Sequence, residues 1–441
     1  MNNRLRTAVI GAGWAGCAAA ATLSQAGHCV TLLEASRALG GRARRVDIDG
    51  KALDNGQHIL LGAYRASLDL MRMLGIDIDR ALLRVPLQMR YPAGSGGIDL
   101  VAPRLPAPLH LLSALCAAGG LSWRDKLALV RFFSAMRRSG WLLDHDCSVL
   151  ELLQRYAQSD CLVRSLWRPL CVAALNTPPQ RASALVFLAV LRDSLGACRS
   201  ASDMLLPRID LSALLPLRAA TLVERSGGHV ETGAAVKQIF RAPDNTHWLL
   251  HFNDAQRAAL SADRIIIATA PEQAATLLSG LSDTALLDAL RYEPITTCYL
   301  QYPAATQLAQ PFYALLDDAL DAAWGQYVFD RGQLDSAQAG LLAVVLSSSA
   351  EAIAQGPAAL TEGIAAQLAS VLRQPALSTP LWSKVISEKR ATFSCTPGLR
   401  RPSNATDAQG IFLAGDYTAG DYPATLETAV RSGIAAARLI V

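Results

Sequence analysis

Apolar and β-branched residues run unbroken from Thr7 to Ile10 and stop at a glycine turn, the pattern of a short strand buried on both faces. Small residues then fill a helix-length stretch, Ala15–Ala26, and Gly27 follows where a helix end favours a left-handed residue. Cys29–Glu34 is a second apolar strand, so the N-terminal segment predicts a β-α-β unit with a right-handed crossover. From about Tyr64 to Arg208 apolar positions recur every three or four residues and predict helices, with Trp123–Arg138 a clear amphipathic example. Between Gly228 and Ala270 the pattern becomes that of strands. His229–Thr232, Val236–Arg241 and Trp248–Asn253 read as a meander with a polar turn at Asp244–Asn245, and Arg264–Thr269 as another buried strand. Residues 271–394 mix helices with alternating stretches near Thr297–Gln301 and Leu341–Leu346. The chain closes as it began, with a strand (Gly410–Ala414), a turn at Gly415–Asp416 and a helix over Thr425–Ile440.

Composition adds bounds to this picture. A chain of 441 residues, 51% hydrophobic and 18% charged, has the material for two domains with sizeable cores. The net charge of +4 is too mild for a nucleic-acid binder, and none is expected as a partner. The nine cysteines and seven histidines are scattered, with no CxxC pair and no metal-ligand spacing. That points to reduced thiols, a cytoplasmic protein and no metal site. Arg4 and Arg6 lead into a strand and a glycine turn and not into a signal peptide. The longest stretch free of Asp, Glu, Lys and Arg, Leu105–Trp123, is broken by prolines and glycines and makes a poor membrane span.

Candidate chemistry starts at the first turn. Gly11-Ala12-Gly13-Trp14-Ala15-Gly16 is a GxGxxG between a strand and a helix. Its first glycine permits the tight turn, its second lets backbone approach a pyrophosphate, and its third lets the helix pack close to the sheet. Glu34 closes the next strand, where a carboxylate can accept from ribose hydroxyls, and Ala35 follows it. This much predicts a dinucleotide without separating NAD from FAD.

The segment after Glu34 separates them. Gly40-Gly41-Arg42 resembles the glycine doublet of the flavin amine oxidase and phytoene desaturase superfamily, with Arg42 able to offer a planar fork of donors to a pyrophosphate. Ile411–Asp416 resembles that superfamily's last flavin motif. Gly233–Val236 and Ile265–Pro271 resemble its middle segments, with Val236 over the adenine end. The resemblance implies FAD as cofactor, Gly415 and Asp416 near the ribityl chain or pyrophosphate, and Thr425 and Leu426 opening a helix toward the flavin pyrimidine. The implied fold class is α/β: a Rossmann-like FAD-binding domain with an interleaved α+β substrate domain. Residues 1–63, 209–280 and 395–441 would form the first; 64–208, mainly helical, and 281–394 the second.

Two stretches are more specific. Leu53–Gly62, containing Gly56, Gln57 and His58, and Ala414–Gly433 resemble the squalene-associated FAD-dependent desaturases, or hydroxysqualene dehydroxylases; Arg390–Gly398 looks familial as well. The resemblance spans nearly the whole chain and weakens across 100–380. It implies reductive removal of an allylic hydroxyl from hydroxysqualene, a long-chain isoprenoid, by hydride transfer from reduced flavin in squalene and hopanoid biosynthesis. A carotenoid desaturase or an amine oxidase is the alternative within the superfamily, and a non-catalytic flavin-binding module the alternative outside it. Candidate acids are His58, Tyr417, Asp421 and Glu427, with Tyr422 beside them. The competing structural readings are a hydrogen-bonding role for His58, packing walls for Tyr417 and Tyr422, and an N-terminal helix charge for Glu427. No second nucleotide fingerprint points to a dedicated NAD(P)H site, which leaves the electron donor open. The Trp123–Arg138 segment, bulky and basic, would suit peripheral contact with the inner face of the cell membrane, or equally an ordinary amphipathic covering helix.

Overall fold

In the computed structural model, which describes residues 5–318 and 320–441, three distant parts of the sequence build one parallel sheet. Its order is His229–Glu231, Cys29–Leu33, Arg6–Ile10, Arg264–Ile267 and Ile411–Leu413. Val9 sits in register between Leu32 and Ile266, and all three side chains are fully buried. A parallel sheet covered on both faces needs such unbroken apolar strands. Arg4 lies outside the described residues.

The first helix, Trp14–Gln25, packs on this sheet and against the last helix, Leu426–Arg438. The contact is close because both faces are small. A Cβ on Gly433 would overlap the Ala15 carbonyl, and Ala18 lies beside it. Gly27, with φ +86°, ends the first helix as expected.

The three-stranded meander consists of Val236–Arg241, Trp248–Phe252 and Leu260–Ala262. His229–Glu231 is not part of it. This strand pairs in parallel with Cys29–Leu33 at the sheet edge, a correction to the sequence reading. A three-residue strand has the same local pattern in either sheet, and only the distant partner decides.

The second large sheet is antiparallel, ordered Phe312–Ala314, Tyr327–Asp330, Leu341–Ser347, Tyr292–Gln301 and Trp382–Phe393. Its register slips between Glu293 and Ile295, at Pro294, which has no N–H to donate to a ladder. The stretch 64–208 is helical but also carries four strands. One of them, Met204–Pro207, pairs with Leu60–Leu61 and Leu82–Val85. Trp123–Arg138 is a helix with those bounds, started by a Ser122–Asp125 capping box and anchored by Phe132 against Trp167 at 4.8 Å. The nine cysteines are unpaired. Among the described residues no helix is long and apolar enough to cross a membrane, and no cluster of side chains could hold a metal.

Candidate functional site

The parallel strands deliver the predicted site residues to one edge. Gly11 follows the first strand, Glu34 the second and Ala414–Gly415 the last, so all of them sit at the carboxyl ends of neighbouring strands. That edge is where open α/β sheets bind ligands. Gly11 turns with φ +101°, and a Cβ there would come within 2.6 Å of the Ala268 carbonyl oxygen. A Cβ on Gly16 would overlap the Gly11 carbonyl itself. Gly13 is different: nothing in the protein lies nearer to its Cβ position than the Gly41 Cα at 3.9 Å. It caps the first helix without a side-chain bond, which leaves the leading N–H groups turned to a space that an anion would fill.

The glycine doublet lies directly beside this turn, with the Gly40 N–H donating to the Ala12 carbonyl at 2.9 Å. The Glu34 carboxylate accepts from Ala12 N–H and Ser36 N–H, each at 2.9 Å, and keeps further lone pairs for a ribose. Ala234 N–H donates to the Glu34 carbonyl at 2.8 Å, which brings the Val236 segment alongside; Val236 itself is buried. Trp14 points inward, its indole N–H donating to the Ala43 carbonyl at 3.2 Å. Of Trp14 and Ala15, therefore, only the backbone is available to a cofactor, while Ala35 is exposed beside Glu34.

Arg42 bridges two distant segments. Its guanidinium donates to Asp416 Oδ1 at 2.7 Å and to the Ala391 carbonyl at 2.6 Å. Protein acceptors meet part of the fork, the side chain stays 39% exposed, and the same pair accounts for one oxygen of Asp416. The pair ties the glycine doublet to the last flavin-like motif. Thr425 caps the final helix, its hydroxyl accepting from Thr428 N–H at 3.2 Å, and Leu426 is the first helical residue.

The candidate acids divide sharply. Glu427 is fully buried, and its carboxylate accepts from Ala66 N–H, Ser67 N–H, the Ser67 hydroxyl and Arg431 Nε. It caps the Arg65–Met73 helix from across a packing interface. These four contacts favour a structural reading of Glu427 over a catalytic one. Asp421 is 74% exposed, with Arg192 3.9 Å away, and lines a cavity with it. Tyr422 donates to Asp193 at 2.8 Å.

His58 and Tyr417 are less engaged. The His58 Nδ1 faces the Gly56 carbonyl at 2.9 Å, which can only accept, so Nδ1 carries the proton and Nε2 presents a lone pair. Burial, and then the positive charge of Arg42, lower the imidazole below its usual range. Tyr417 is buried, and its hydroxyl has no partner among the described residues. Burial, reinforced by Asp416, raises its ionisation well above the ordinary phenol range.

Three polar groups were missed by sequence reading. Tyr292 and Thr297, on one strand of the antiparallel sheet, also have buried hydroxyls without a partner, and Thr297 lies against Gly56. Arg331 donates to Gln57 Oε1 at 3.0 Å, and Gln57 Nε2 donates to the Tyr299 hydroxyl at 2.9 Å. The Gln57 amide, expected at the cofactor, thus meets residues of the 281–394 segment at both ends. Two threonines within an apolar strand, Thr296 and Thr297, were the available signal.

A family model for flavin containing amine oxidoreductases matches residues 14–441. The chain belongs to that family. It is an FAD-dependent oxidoreductase, and the open glycine cradle, the Glu34 carboxylate and the unpartnered buried hydroxyls fit its flavin cofactor. Hydroxysqualene dehydroxylase of Rhodopseudomonas palustris is 30% identical, over 98% of this chain and 97% of the relative. Zeta-carotene desaturase of Synechocystis sp. is 27% identical over 99% and 97%. The crystal structure of cyclohexylamine oxidase from Brevibacterium oxydans superposes with a TM-score of 0.68 at 19% identity, covering 99% of this chain and 98% of that one, and shares the fold.

Proposed function

We propose that this flavoenzyme reductively dehydroxylates a long-chain isoprenoid alcohol, hydroxysqualene, to squalene. The observation that carries the reading is full-length similarity to a hydroxysqualene dehydroxylase, and a cavity of about 560 Å³ supports it. Its wall is largely apolar, with Leu142, Leu185, Val186, Phe393 and Leu399. Its two carboxylates are Asp146, engaged by Ser183, Leu185 and Gly398, and Asp421, 3.9 Å from Arg192. Phe393, in its wall, lies two residues along the strand from Ala391, whose carbonyl receives Arg42. In this reading residues 1–63, 209–280 and 395–441 hold the cofactor, and 64–208 and 281–394 hold the substrate.

Gly11, Gly13 and Gly16 would hold the pyrophosphate with Gly40 and Gly41, and Glu34 the adenosine ribose. When bound and reduced, FAD supplies a hydride. The chain must then polarise the allylic C–O bond and exclude water from the carbocation-like carbon. Tyr417 suits the polarising role, because its raised ionisation keeps the hydroxyl protonated and no protein acceptor competes for its proton. His58, neutral with Nε2 unprotonated, would accept a proton and not donate one. Leu142, Leu185, Val186, Phe393 and Leu399 would shield that carbon from water.

The test is to incubate pre-reduced enzyme anaerobically with hydroxysqualene and look for squalene as the flavin is oxidised. Absence of squalene, with the flavin still reduced, would overturn the proposal. Dehydrogenation of a carotene precursor by the oxidised enzyme would favour a desaturase instead, the reading supported by the similarity to zeta-carotene desaturase.

A further inference from the structure

Half of the large apolar side chains exposed among the described residues lie between Leu105 and Leu142, under a tenth of the chain. They are ordered. On the Trp123–Arg138 helix, Trp123, Leu127 and Val130 follow one another at four- and three-residue spacing and form a single exposed stripe, with Trp123 at 76%. Leu129, Phe132 and Met136 of the same helix face the core. On the preceding helix, Leu109–Ala117, Leu109 (55% exposed) and Leu112 continue a stripe from Leu105, while His110 and Ala114 point inward. Lys126 joins the two helices: its ammonium donates to the Cys116 carbonyl at 2.7 Å and lies 5.1 Å from the Trp123 ring centroid.

Charge follows the same face. Arg124, Arg131 and Arg138 recur every seventh residue, in a row beside the apolar stripe, and all three are exposed. From residue 104 to 143 the basic side chains are Arg104, Arg124, Lys126, Arg131, Arg137 and Arg138, against Asp125 alone. Asp125 is buried in its capping box. The whole chain carries only +4, so this hairpin holds all of the net excess and the remainder is close to neutral.

We propose that the exposed face of these two helices is a docking surface for an anionic lipid bilayer. An apolar stripe flanked by arginines, with a tryptophan at its end, matches an interface of acyl chains below and phosphates above. A second copy of the chain is the poorer occupant, because apposing the same face would set two arginine rows against each other. The surface also leads somewhere: Leu142, 63% exposed just beyond the second helix, lines the apolar cavity together with Trp141. Docking rests on exposure and charge alone, and only its use as a substrate entry rests on the isoprenoid reading.

The test uses the full FAD-loaded chain without substrate, sedimented with vesicles of phosphatidylcholine or of phosphatidylcholine mixed with phosphatidylglycerol. The expected result is binding to the anionic vesicles that weakens in high salt. The triple variant Arg124→Gln/Arg131→Gln/Arg138→Gln should lower partitioning by about 100-fold. Trp123→Ser/Leu127→Ser should weaken it too, and Leu217→Ser, at an exposed leucine elsewhere, should not. Flavin absorbance per protein reports that each variant is folded. Three results would overturn the proposal: no binding to anionic vesicles, equal binding by wild type and both variants, or a lipid-free oligomer that the variants dissolve. Because no substrate is present, failure here leaves the proposed reaction untouched.

Discussion

Arg331 donates from Nη1 to Gln57 Oε1 at 3.0 Å from a position only 3% exposed. Its other acceptors are Gln338 Oε1 at 2.8 Å and the Pro207 carbonyl at 3.4 Å. A buried guanidinium is therefore solvated by neutral oxygens, and one of these belongs to the loop that leads to His58. Gln57 passes the connection on to Tyr299, which donates to the Asp54 carbonyl at 2.8 Å.

Gln57→Ala should therefore destabilise the protein by about 2 kcal/mol, because it leaves a buried donor short of an acceptor. Gln57→Glu supplies an anion to the same guanidinium and should recover much of that loss. Thermal unfolding of the FAD-loaded variants measures both. A Gln57→Ala protein as stable as wild type would show the Arg331 contact to be idle.

Asp54 ties stability to pH. Burial raises its carboxyl to about 6, with the Leu211 N–H bond and Arg331 only partly opposing. The folded state thus holds this proton more tightly than the unfolded one. Its contribution to stability is greatest below the ordinary carboxylate range and is lost as pH rises to about 6. Asp54→Asn keeps an acceptor for Leu211 and removes the ionisation. It should stabilise by about 2–3 kcal/mol near pH 8 and by nothing near pH 4. A gain of equal size at both pH values would refute this origin.

The first β-α-β unit, the meander strands after Val236 and the Trp123–Arg138 helix were legible in the sequence, because each is specified by a local period and a local cap. The edge strand His229–Glu231 was not, since its partner Cys29–Leu33 lies far away in sequence. The same distinction runs through the site. Gly11, Gly13 and Gly16 announce their shape through spacing. The partner of Arg42, by contrast, is 374 residues away at Asp416, and the donors that saturate Glu427 come from another helix. Local sequence gives residue type and position, while a charge's availability depends on what folding brings beside it.

Glu427→Ala should cost about 3 kcal/mol or more, since it uncaps the Arg65–Met73 helix and leaves half-buried Arg431 without its anion. Glu427→Gln retains an acceptor and should cost less. Among molecules that fold, Glu427→Gln should leave the pH dependence of turnover unchanged. Loss of one limb of that profile, with stability intact, would restore Glu427 as a proton donor.

The glycine turn allows folding and cofactor binding to be separated at neighbouring positions. Gly16→Ala forces a Cβ into the Gly11 carbonyl, so the first helix cannot keep its place on the sheet, and little soluble protein is expected. Gly13→Ala meets nothing in the protein closer than 3.9 Å, and its backbone, with φ −70° and ψ 178°, suits any residue. The apo form should therefore unfold at nearly the wild-type temperature. The added methyl instead projects toward the space before the helix N-terminus, where a pyrophosphate would approach the backbone. FAD affinity, measured by flavin fluorescence on titration of apo protein, should fall by 10-fold or more, about 1.4 kcal/mol. Wild-type affinity in Gly13→Ala would mean that the dinucleotide does not lie against this turn, whereas a large loss of apo stability would mean that the space belongs to the protein.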